Sequence, residues 1–252
     1  MRVTVLGSGT SHGVPTIGCS CPVCRSCNPR NRRFRTSIAV QGPSGTILVD
    51  TPPELRLAAL AFDLARVDAV LYTHSHADHL FGLDDVRRYN DLSGQELPIY
   101  ADERTLDDIR RAFRYVFHKT QVGGGKPRLT LNPVPPQFTL CGIDVRTFTV
   151  LHGRLPVQAY RFDDLAYVTD VNRIPEPAMD QLRGLDVLIL DAVRYKPHST
   201  HFGLFQALEV IAELRPKRAF LTHLSHQFDH DAVNAILPAG VLLAYDGLRI
   251  DL

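Results

Sequence analysis

Histidine or aspartate follows several short apolar runs of this chain, and this pattern restricts the folds that the chain can adopt. Residues 67–72 form one such run, which leads into THSHADH at 73–79. Three later runs, at 145–151, 165–169 and 218–222, end at His152, Asp170 and His223. Runs of this kind predict strands. Because the ends of parallel strands meet at one edge of a sheet, we expect these polar side chains to converge.

The periodicity of apolar residues predicts an α/β chain. Strands are predicted at 2–7, 37–41, 46–50, 67–74, 98–102, 143–150, 165–170, 185–191, 218–223 and 240–250. Helices are predicted at 76–92, 102–117, 175–184 and 201–216, where apolar residues return every three or four positions. Segments 13–35 and 121–137 are rich in Gly and Pro and are predicted to be loops. The pattern favours two sheets with helices outside them, and we expect residues 1–252 to form one domain.

The composition is typical of a globular protein and excludes a disordered chain. Hydrophobic residues make up 44% and charged residues 22% of the sequence. A net charge of +1 gives no overall field that attracts nucleic acid or an acidic membrane. The basic stretch at 28–35 can be a solvated loop or can contact a substrate phosphate. No apolar run reaches the roughly 20 residues that span a bilayer, and the start has no signal-peptide pattern, so we expect a cytoplasmic protein without a membrane partner.

The segment at 73–79 has the residue types of a metal site. His74, His76, Asp78 and His79 offer three imidazoles and one carboxylate within six residues. A turn after a strand points neighbouring side chains in different directions, so such a group can serve two adjacent ions. Such a cluster adds nothing to a hydrophobic core, because burying a polar group costs free energy unless the group has a partner.

The order of these residues resembles the metallo-β-lactamase superfamily, whose H-x-H-x-D-H motif corresponds to His74, His76, Asp78 and His79. The resemblance implies a four-layer αββα sandwich with two divalent ions, zinc or manganese, in the active site. It assigns His74, His76 and His152 to one ion. It assigns Asp78, His79 and His223 to the other ion, with Asp170 as a bridge. Asp50 then supports the ligands without binding metal.

Four of the five cysteines lie between Cys19 and Cys27, too close together to join distant parts of a fold. This spacing favours thiolates around a metal in a reducing compartment. The segments GCSCPVC, THLSHQFD and DGLRI resemble the phosphoribosyl 1,2-cyclic phosphate phosphodiesterases of the superfamily. That resemblance implies a structural zinc on Cys19, Cys21, Cys24 and His226. Cys27 is an alternative fourth ligand, because it forms a second C-x-x-C step with Cys24.

The resemblance implies hydrolysis of a small cyclic phosphodiester, such as phosphoribosyl 1,2-cyclic phosphate or a cyclic nucleotide. A metal-bound hydroxide attacks phosphorus in this scheme, and Asp78 and Asp170 orient it. The leaving alkoxide needs a proton, for which His201 is the candidate and His198 the nearby alternative. Both precede an amphipathic helix whose N-terminus, with Thr200, can donate to a phosphate oxygen.

Three other functions remain open at this point. A tRNA 3′-processing nuclease uses the same metals, but the chain has no obvious extra arm for tRNA, and nucleic acid is the less favoured partner. A lactam, lactone or thioester hydrolase attacks carbon instead of phosphorus. A non-hydrolytic role like that of pyrroloquinoline quinone synthesis protein B is disfavoured by the full set of seven ligands. We expect a small-molecule substrate and a homodimer, the commonest soluble oligomer.

Overall fold

The computed structural model describes residues 1–119 and 125–252. Their strands, in chain order, are β1 (Arg2–Gly7), β2 (Ser37–Gln41), β3 (Thr46–Val49), β4 (Ala69–Leu71), β5 (Leu97–Ala101), β6 (Leu129–Pro133), β7 (Gln137–Leu140), β8 (Ile143–His152), β9 (Leu155–Phe162), β10 (Leu165–Val168), β11 (Val187–Asp191), β12 (Arg218–Thr222), β13 (Val241–Leu243) and β14 (Arg249–Asp251). These strands form two seven-stranded sheets, ordered β14-β1-β2-β3-β4-β5-β6 and β13-β12-β11-β10-β9-β8-β7.

Each sheet combines antiparallel and parallel pairs. Strands β3 to β6 are parallel in the first sheet, and β10 to β13 are parallel in the second. Strand β1 pairs antiparallel with β14, which brings the amino group of Met1 to 2.9 Å from the carbonyl oxygen of Leu252. The parallel strands of both sheets place their carboxyl ends, and the residues that follow them, at one edge of the molecule.

Helices cover the outer faces of both sheets. They are α1 (Leu55–Ala61), α2 (Ala77–Leu80), α3 (Arg87–Ser93), α4 (Glu103–Ala112), α5 (Arg114–Phe117), α6 (Glu176–Gln181), α7 (Leu204–Leu214) and α8 (His230–Asn234). One apolar cluster lies between the sheets and includes Val49, Tyr160 and Ile189. Two further clusters join each sheet to its own helices. The four layers are therefore helix, sheet, sheet and helix, as the αββα prediction requires.

Four predicted elements differ from the structure, and one of them is the helix predicted at 102–117, which is divided into α4 and α5. The loop predicted at 121–137 contains β6 and the first residue of β7, and residues 120–124 lie outside the described chain. Its prolines are compatible with β6 and β7 because both are edge strands, where a missing N–H leaves no central ladder bond unmade. The helix predicted at 76–92 is divided into α2, a 3-10 turn at Leu83–Val86, and α3. The last predicted strand, 240–250, is β13 and β14 with a turn between them.

The helix at 76–92 divides because of a close backbone contact at Gly82. A Cβ atom at this position would lie 2.1 Å from the carbonyl oxygen of Pro52. The N–H of Gly82 also donates to the carbonyl oxygen of Thr51. This contact anchors the chain just after α2 and so fixes the position of Asp78 and His79, the candidate metal ligands in that helix.

None of the helices in the described residues is both long enough and apolar enough to cross a membrane.

Candidate metal centre

The seven side chains expected to bind metal gather at the common edge of the two sheets. The loop after β4 and helix α2 carry His74, His76, Asp78 and His79, while His152, Asp170 and His223 come from the ends of β8, β10 and β12. Ring centroids are 4.3 Å apart for His74 and His79, and 6.1 Å apart for His79 and His223. Residues as far apart in the sequence as His74 and His223 therefore meet at one site.

Asp170 lies between two groups of histidines, and each of its oxygens faces a different group. Its Oδ2 is 3.1 Å from His79 Nε2 and 3.5 Å from His223 Nε2. Its Oδ1 is 4.0 Å from His74 Nε2. Asp78 Oδ2 lies 3.5 Å from His79 Nε2, on the same side as His223. Asp170 has the geometry of a carboxylate that bridges two cations.

His152 occupies a more peripheral position than the other histidines. Its ring centroid is 5.3 Å from that of His76 and 5.9 Å from that of His74. The donor atoms of His74, His76 and Asp170 lie within 4.8 Å of one another, and those of His152, Asp170 and His201 form a second such group. His152 therefore faces Asp170 from the side of His201, although it remains next to His76.

Several histidines are held by a hydrogen bond through Nδ1, which leaves Nε2 to face the pocket. His79 Nδ1 lies 2.7 Å from Asp50 Oδ2. His152 Nδ1 donates to the carbonyl oxygen of Thr200 at 2.7 Å, and a carbonyl can only accept. Such contacts fix the ring orientation and the tautomer of a metal ligand. Asp50 also accepts from the N–H and the hydroxyl of Thr73, so it supports the ligands from beneath.

The backbone at the strand ends is held in a sparsely populated conformation. Asp50, Asp170 and His223 have φ values of 62°, 52° and 58°, in the left-handed region. A non-glycine residue there costs about 1–3 kcal/mol, and such residues cluster at functional sites. The turn after each strand thus directs a polar side chain into the pocket at a cost in stability.

Burial and neighbouring opposite charges shift the pKa values of the acidic and basic side chains in this cluster. Burial opposes charge on His223, but Asp170, Asp78 and Asp191 outweigh it and raise the pKa to about 9. Burial likewise opposes ionisation of Asp170, yet His223 and His79 hold the pKa of that carboxyl well below its usual range. Burial lowers the pKa of His74. Asp78 and Asp170 are therefore the carboxylates of the cluster that stay negative at neutral pH.

The residues present fit a pair of divalent cations. Within the described chain, the buried Nε2 atoms of His74, His79 and His223 have no hydrogen-bond partner. A buried polar atom without a partner costs about 1–3 kcal/mol, and a cation removes that cost. Two nitrogen or oxygen ligands at about 2.0–2.1 Å in tetrahedral geometry lie roughly 3.3–3.4 Å apart, close to the spacing of Asp170 Oδ2 from His79 and His223.

His201 lies at the edge of the same pocket and is held by an aspartate that is not among the predicted site residues. Its Nδ1 is 2.8 Å from Asp191 Oδ2, and its Nε2 is 3.9 Å from Asp170 Oδ1. Asp191 is fully buried at the end of β11. The alternative, His198, has its ring centroid 5.2 Å from that of His201, and its Nδ1 accepts from the N–H of Thr200. The position of Asp191 at a strand end was the one sequence signal for its role.

Three of the cysteines form a second candidate metal site around His226. The Sγ atoms of Cys19, Cys21 and Cys24 lie 3.3, 3.4 and 3.7 Å from His226 Nδ1. Tetrahedral zinc with sulfur at about 2.3 Å and nitrogen at about 2.0–2.1 Å separates the two ligands by roughly 3.6 Å. The N–H of Cys24 donates to Cys21 and lowers the pKa of the Cys21 thiol to about 6. Cys27 is exposed and lies outside this group.

Two arginines of the basic stretch at 28–35 bind other parts of the protein. Arg33 is buried and donates to the carbonyl oxygens of Ser225 and Phe228. Arg35 donates to the carbonyl oxygen of Ser11 and pairs with Glu54. These contacts give Arg33 and Arg35 a structural role and weaken the case that either of them contacts a substrate phosphate.

The comparisons with known proteins identify the family. A model described as "Beta-lactamase superfamily domain" matches residues 45–224. A protein of Porphyromonas gingivalis named octanoyltransferase is 38% identical over 254 residues, which cover 99% of this chain and 51% of that protein. The chain therefore spans about half the length of this relative.

Two solved structures resemble this chain over its whole length. One is described as a new diphosphatase from the PhnP family, with 41% identity, a TM-score of 0.93 and coverage of 100% of this chain and 97% of that one. The other is Zn(2+)-bound PqqB from Methylobacterium extorquens, with 19% identity, a TM-score of 0.82 and complete coverage of both chains. The second likeness shows the fold alone, whereas the first extends to the sequence of the whole chain.

Proposed function

Because the chain belongs to the beta-lactamase superfamily, we propose that it is a dinuclear-metal phosphodiesterase that hydrolyses a small cyclic phosphodiester. The observation that carries this proposal is the position of Asp170, whose two oxygens face separate groups of histidines. Similarity over the whole chain to a structure described as a diphosphatase favours attack on phosphorus.

In this proposal the seven residues hold two divalent cations, zinc or manganese. His74, His76 and His152 would hold one ion, Asp78, His79 and His223 would hold the other, and Asp170 would be shared by the two. When bound, such a pair of ions activates water and neutralises phosphate oxygens. Asp50 and the carbonyl oxygen of Thr200 keep two of the rings in place.

The side chains of the protein perform the remaining steps. Asp78 and Asp170, both held negative by their histidine neighbours, accept hydrogen bonds from the attacking water and orient it. His201 gives a proton from Nε2 to the leaving alkoxide, and Asp191 fixes the ring so that this nitrogen faces the pocket. A third ion, zinc on Cys19, Cys21, Cys24 and His226, is structural in this proposal.

Replacing His201 by Ala should slow hydrolysis in a way that depends on the leaving group. We expect a loss of about 10²- to 10⁴-fold in kcat for an alkoxide leaving group, which needs a proton. The loss should be much smaller for p-nitrophenolate, which leaves without one. The measurement is kcat for a nucleoside 2′,3′-cyclic phosphate and for bis(p-nitrophenyl) phosphate with the same enzyme preparation.

Two further variants control this experiment. Asp191→Asn should reproduce part of the leaving-group dependence, because it weakens the contact that orients His201. His198→Ala removes the neighbouring imidazole and should produce no comparable dependence on the leaving group. Equal losses of His201→Ala on both substrates would exclude its role as the general acid.

A panel of substrates should separate the proposed function from its competitors. It contains bis(p-nitrophenyl) phosphate, a nucleoside 2′,3′-cyclic phosphate, ribose 1,2-cyclic phosphate, inorganic diphosphate, pre-tRNA and an octanoyl thioester. We expect the largest kcat/KM for a small cyclic diester, with metal supplied as zinc or manganese. Predominant cleavage of pre-tRNA, or of diphosphate, would contradict the choice of substrate.

A hydrolase that attacks carbon is the second candidate. It is favoured by the octanoyltransferase relative, which contains a region similar to 99% of this chain. An acyl ester or thioester offers a carbonyl that the same metal pair can polarise. Faster turnover of the octanoyl thioester than of any diester in the panel would favour this candidate.

A further inference from the structure

Asp191, the fully buried aspartate at the end of β11, faces a candidate metal ligand as well as His201. Its Oδ2 is 2.8 Å from His201 Nδ1, and its Oδ1 is 3.7 Å from His223 Nδ1. The two imidazole rings are nearly parallel, with an interplanar angle of 18° and centroids 4.7 Å apart. Both rings therefore present Nδ1 to the same carboxylate, each to a different oxygen.

The backbone fixes the position of Asp191 relative to two of the metal ligands. Strands β11 and β12 are parallel, and Asp191 pairs in register with Thr222, the residue before His223. The N–H of Val171, the residue after Asp170, donates to Asp191 Oδ2 at 3.1 Å. The side chain of Asp191 is thus held in place from the strand end that carries the bridging aspartate.

Two buried polar atoms face each other between Asp191 and His223. Within residues 1–119 and 125–252, neither Asp191 Oδ1 nor His223 Nδ1 has a hydrogen-bond partner. Their separation of 3.7 Å is too long for a hydrogen bond, whose usual length is about 2.9 Å for N–H and O. Buried polar groups are nearly always paired, and a closer approach of less than about 1 Å pairs these two with each other.

The other ring nitrogen of His223 determines where its proton lies. Nε2 is 3.5 Å from Asp170 Oδ2 and 3.8 Å from Asp78 Oδ2, so it faces the metal centre. An imidazole that binds a cation through Nε2 keeps its proton on Nδ1. Metal-binding histidines donate this second N–H to a carboxylate, a carbonyl or water. Asp191 Oδ1 is placed to be that acceptor.

We propose that Asp191 is a positioning residue for the active-site metal as well as for the general acid. Its Oδ1 accepts a hydrogen bond from His223, and its Oδ2 accepts one from His201. This inference rests on the proposed function, which uses the contact with His201, and extends it to the ion held by His223. A carboxylate can accept from two imidazoles at once, because each of its oxygens has two lone pairs.

Asp191→Asn tests the contact with His223, because an amide has only one acceptor oxygen. The N–H of Val171 and His201 both contact Oδ2, so the amide oxygen should take that position and leave the NH₂ group facing His223. We expect the dissociation constant for one of the two active-site zinc ions to rise about 10- to 100-fold. The measurement is competition with a chromophoric chelator, and the melting temperature reports on the fold.

Two further variants complete the measurement of zinc binding. Asp191→Ala removes both oxygens, should weaken zinc binding at least as much, and provides the same test if the asparagine variant does not fold. His201→Ala alone should leave the dissociation constant at the wild-type value. Combining Asp191→Asn with His201→Ala should still weaken zinc binding 10- to 100-fold, because the contact with His223 does not pass through His201.

Asp186→Asn is the matched control. Asp186 lies just before β11, at the opposite end of the strand from Asp191, and forms a surface ion pair with Lys217 at 2.7 Å. The control makes the same chemical change next to the same strand. It should leave the dissociation constant for zinc unchanged.

The outcomes separate this inference from the proposed function. If Asp191→Asn binds active-site zinc as tightly as the wild type, or weakens it only while His201 is present, Asp191 does not hold His223. A fourth ion per chain that is lost in Asp191→Asn would make Asp191 a ligand and would also overturn the inference. If no phosphodiester is hydrolysed but zinc binding weakens as expected, the inference holds and the proposed function is wrong.

Discussion

Replacing Asp170 by Asn should abolish phosphodiester hydrolysis while leaving the fold intact. The substitution keeps the size of the side chain but removes the charge between the two groups of histidines. Loss of a partner that only supports a metal ligand costs about 10- to 100-fold, so we expect a larger loss in kcat/KM here. The metal content should fall from three ions per chain toward one, since only the cysteine site is unaffected.

The measurements are kcat/KM with bis(p-nitrophenyl) phosphate, metal content by inductively coupled plasma mass spectrometry, and the melting temperature. Asp91→Asn is the control, because Asp91 is exposed and its only ion pair within the described part of the chain is a surface contact with Arg88 at 4.0 Å. Hydrolysis by Asp170→Asn at more than a tenth of the wild-type rate, with full metal content, would contradict the bridging role.

Replacing Cys21 by Ala should destabilise the protein with the loss of one zinc per chain. The binding energy of a structural zinc acts as folding energy, with apparent values of about 10–16 kcal/mol in zinc-finger peptides. If removal of one ligand costs about 4 kcal/mol of this, the melting temperature should fall by roughly 8–16 °C for a chain of this size. The measurements are thermal unfolding followed by circular dichroism and zinc content.

Cys27→Ala is the matched control for the cysteine site. Cys27 lies in the same segment but is exposed and outside the group around His226. Its replacement should change neither the melting temperature nor the zinc content. If Cys21→Ala behaves like Cys27→Ala, the site around His226 holds no structural zinc.

The strand-end residues of the metal centre could be predicted because their signal is local. Each follows an apolar run, so its place at the sheet edge depends only on that run forming a strand. The αββα fold was predicted through the same residues and is confirmed. His226 was also proposed from its motif, and the structure brings it next to Cys19, Cys21 and Cys24.

The parts that could not be predicted depend on contacts between distant segments. Asp191 can hold His201, and the carbonyl oxygen of Thr200 can hold His152, only after the loop before α7 has packed against the ends of β11 and β8. Strand β9 has no sharp boundary in the sequence, and β6 was obscured by its flanking prolines. The basic stretch was ambiguous because burial of Arg33 is decided by acceptors almost 200 residues away. The single domain, the cytoplasmic location and the homodimer stay predictions.

The pairing of β1 with β14 bears on how this chain can be circularly permuted. Met1 and Leu252 lie side by side at the end of the first sheet where β1 begins. The metal centre lies beyond the other end of β1, where Gly9 bridges Leu224 next to His223. Linking the two termini by a short peptide and opening the chain at an exposed turn such as Asp163–Asp164 should yield a circular permutant with an unobstructed substrate entrance.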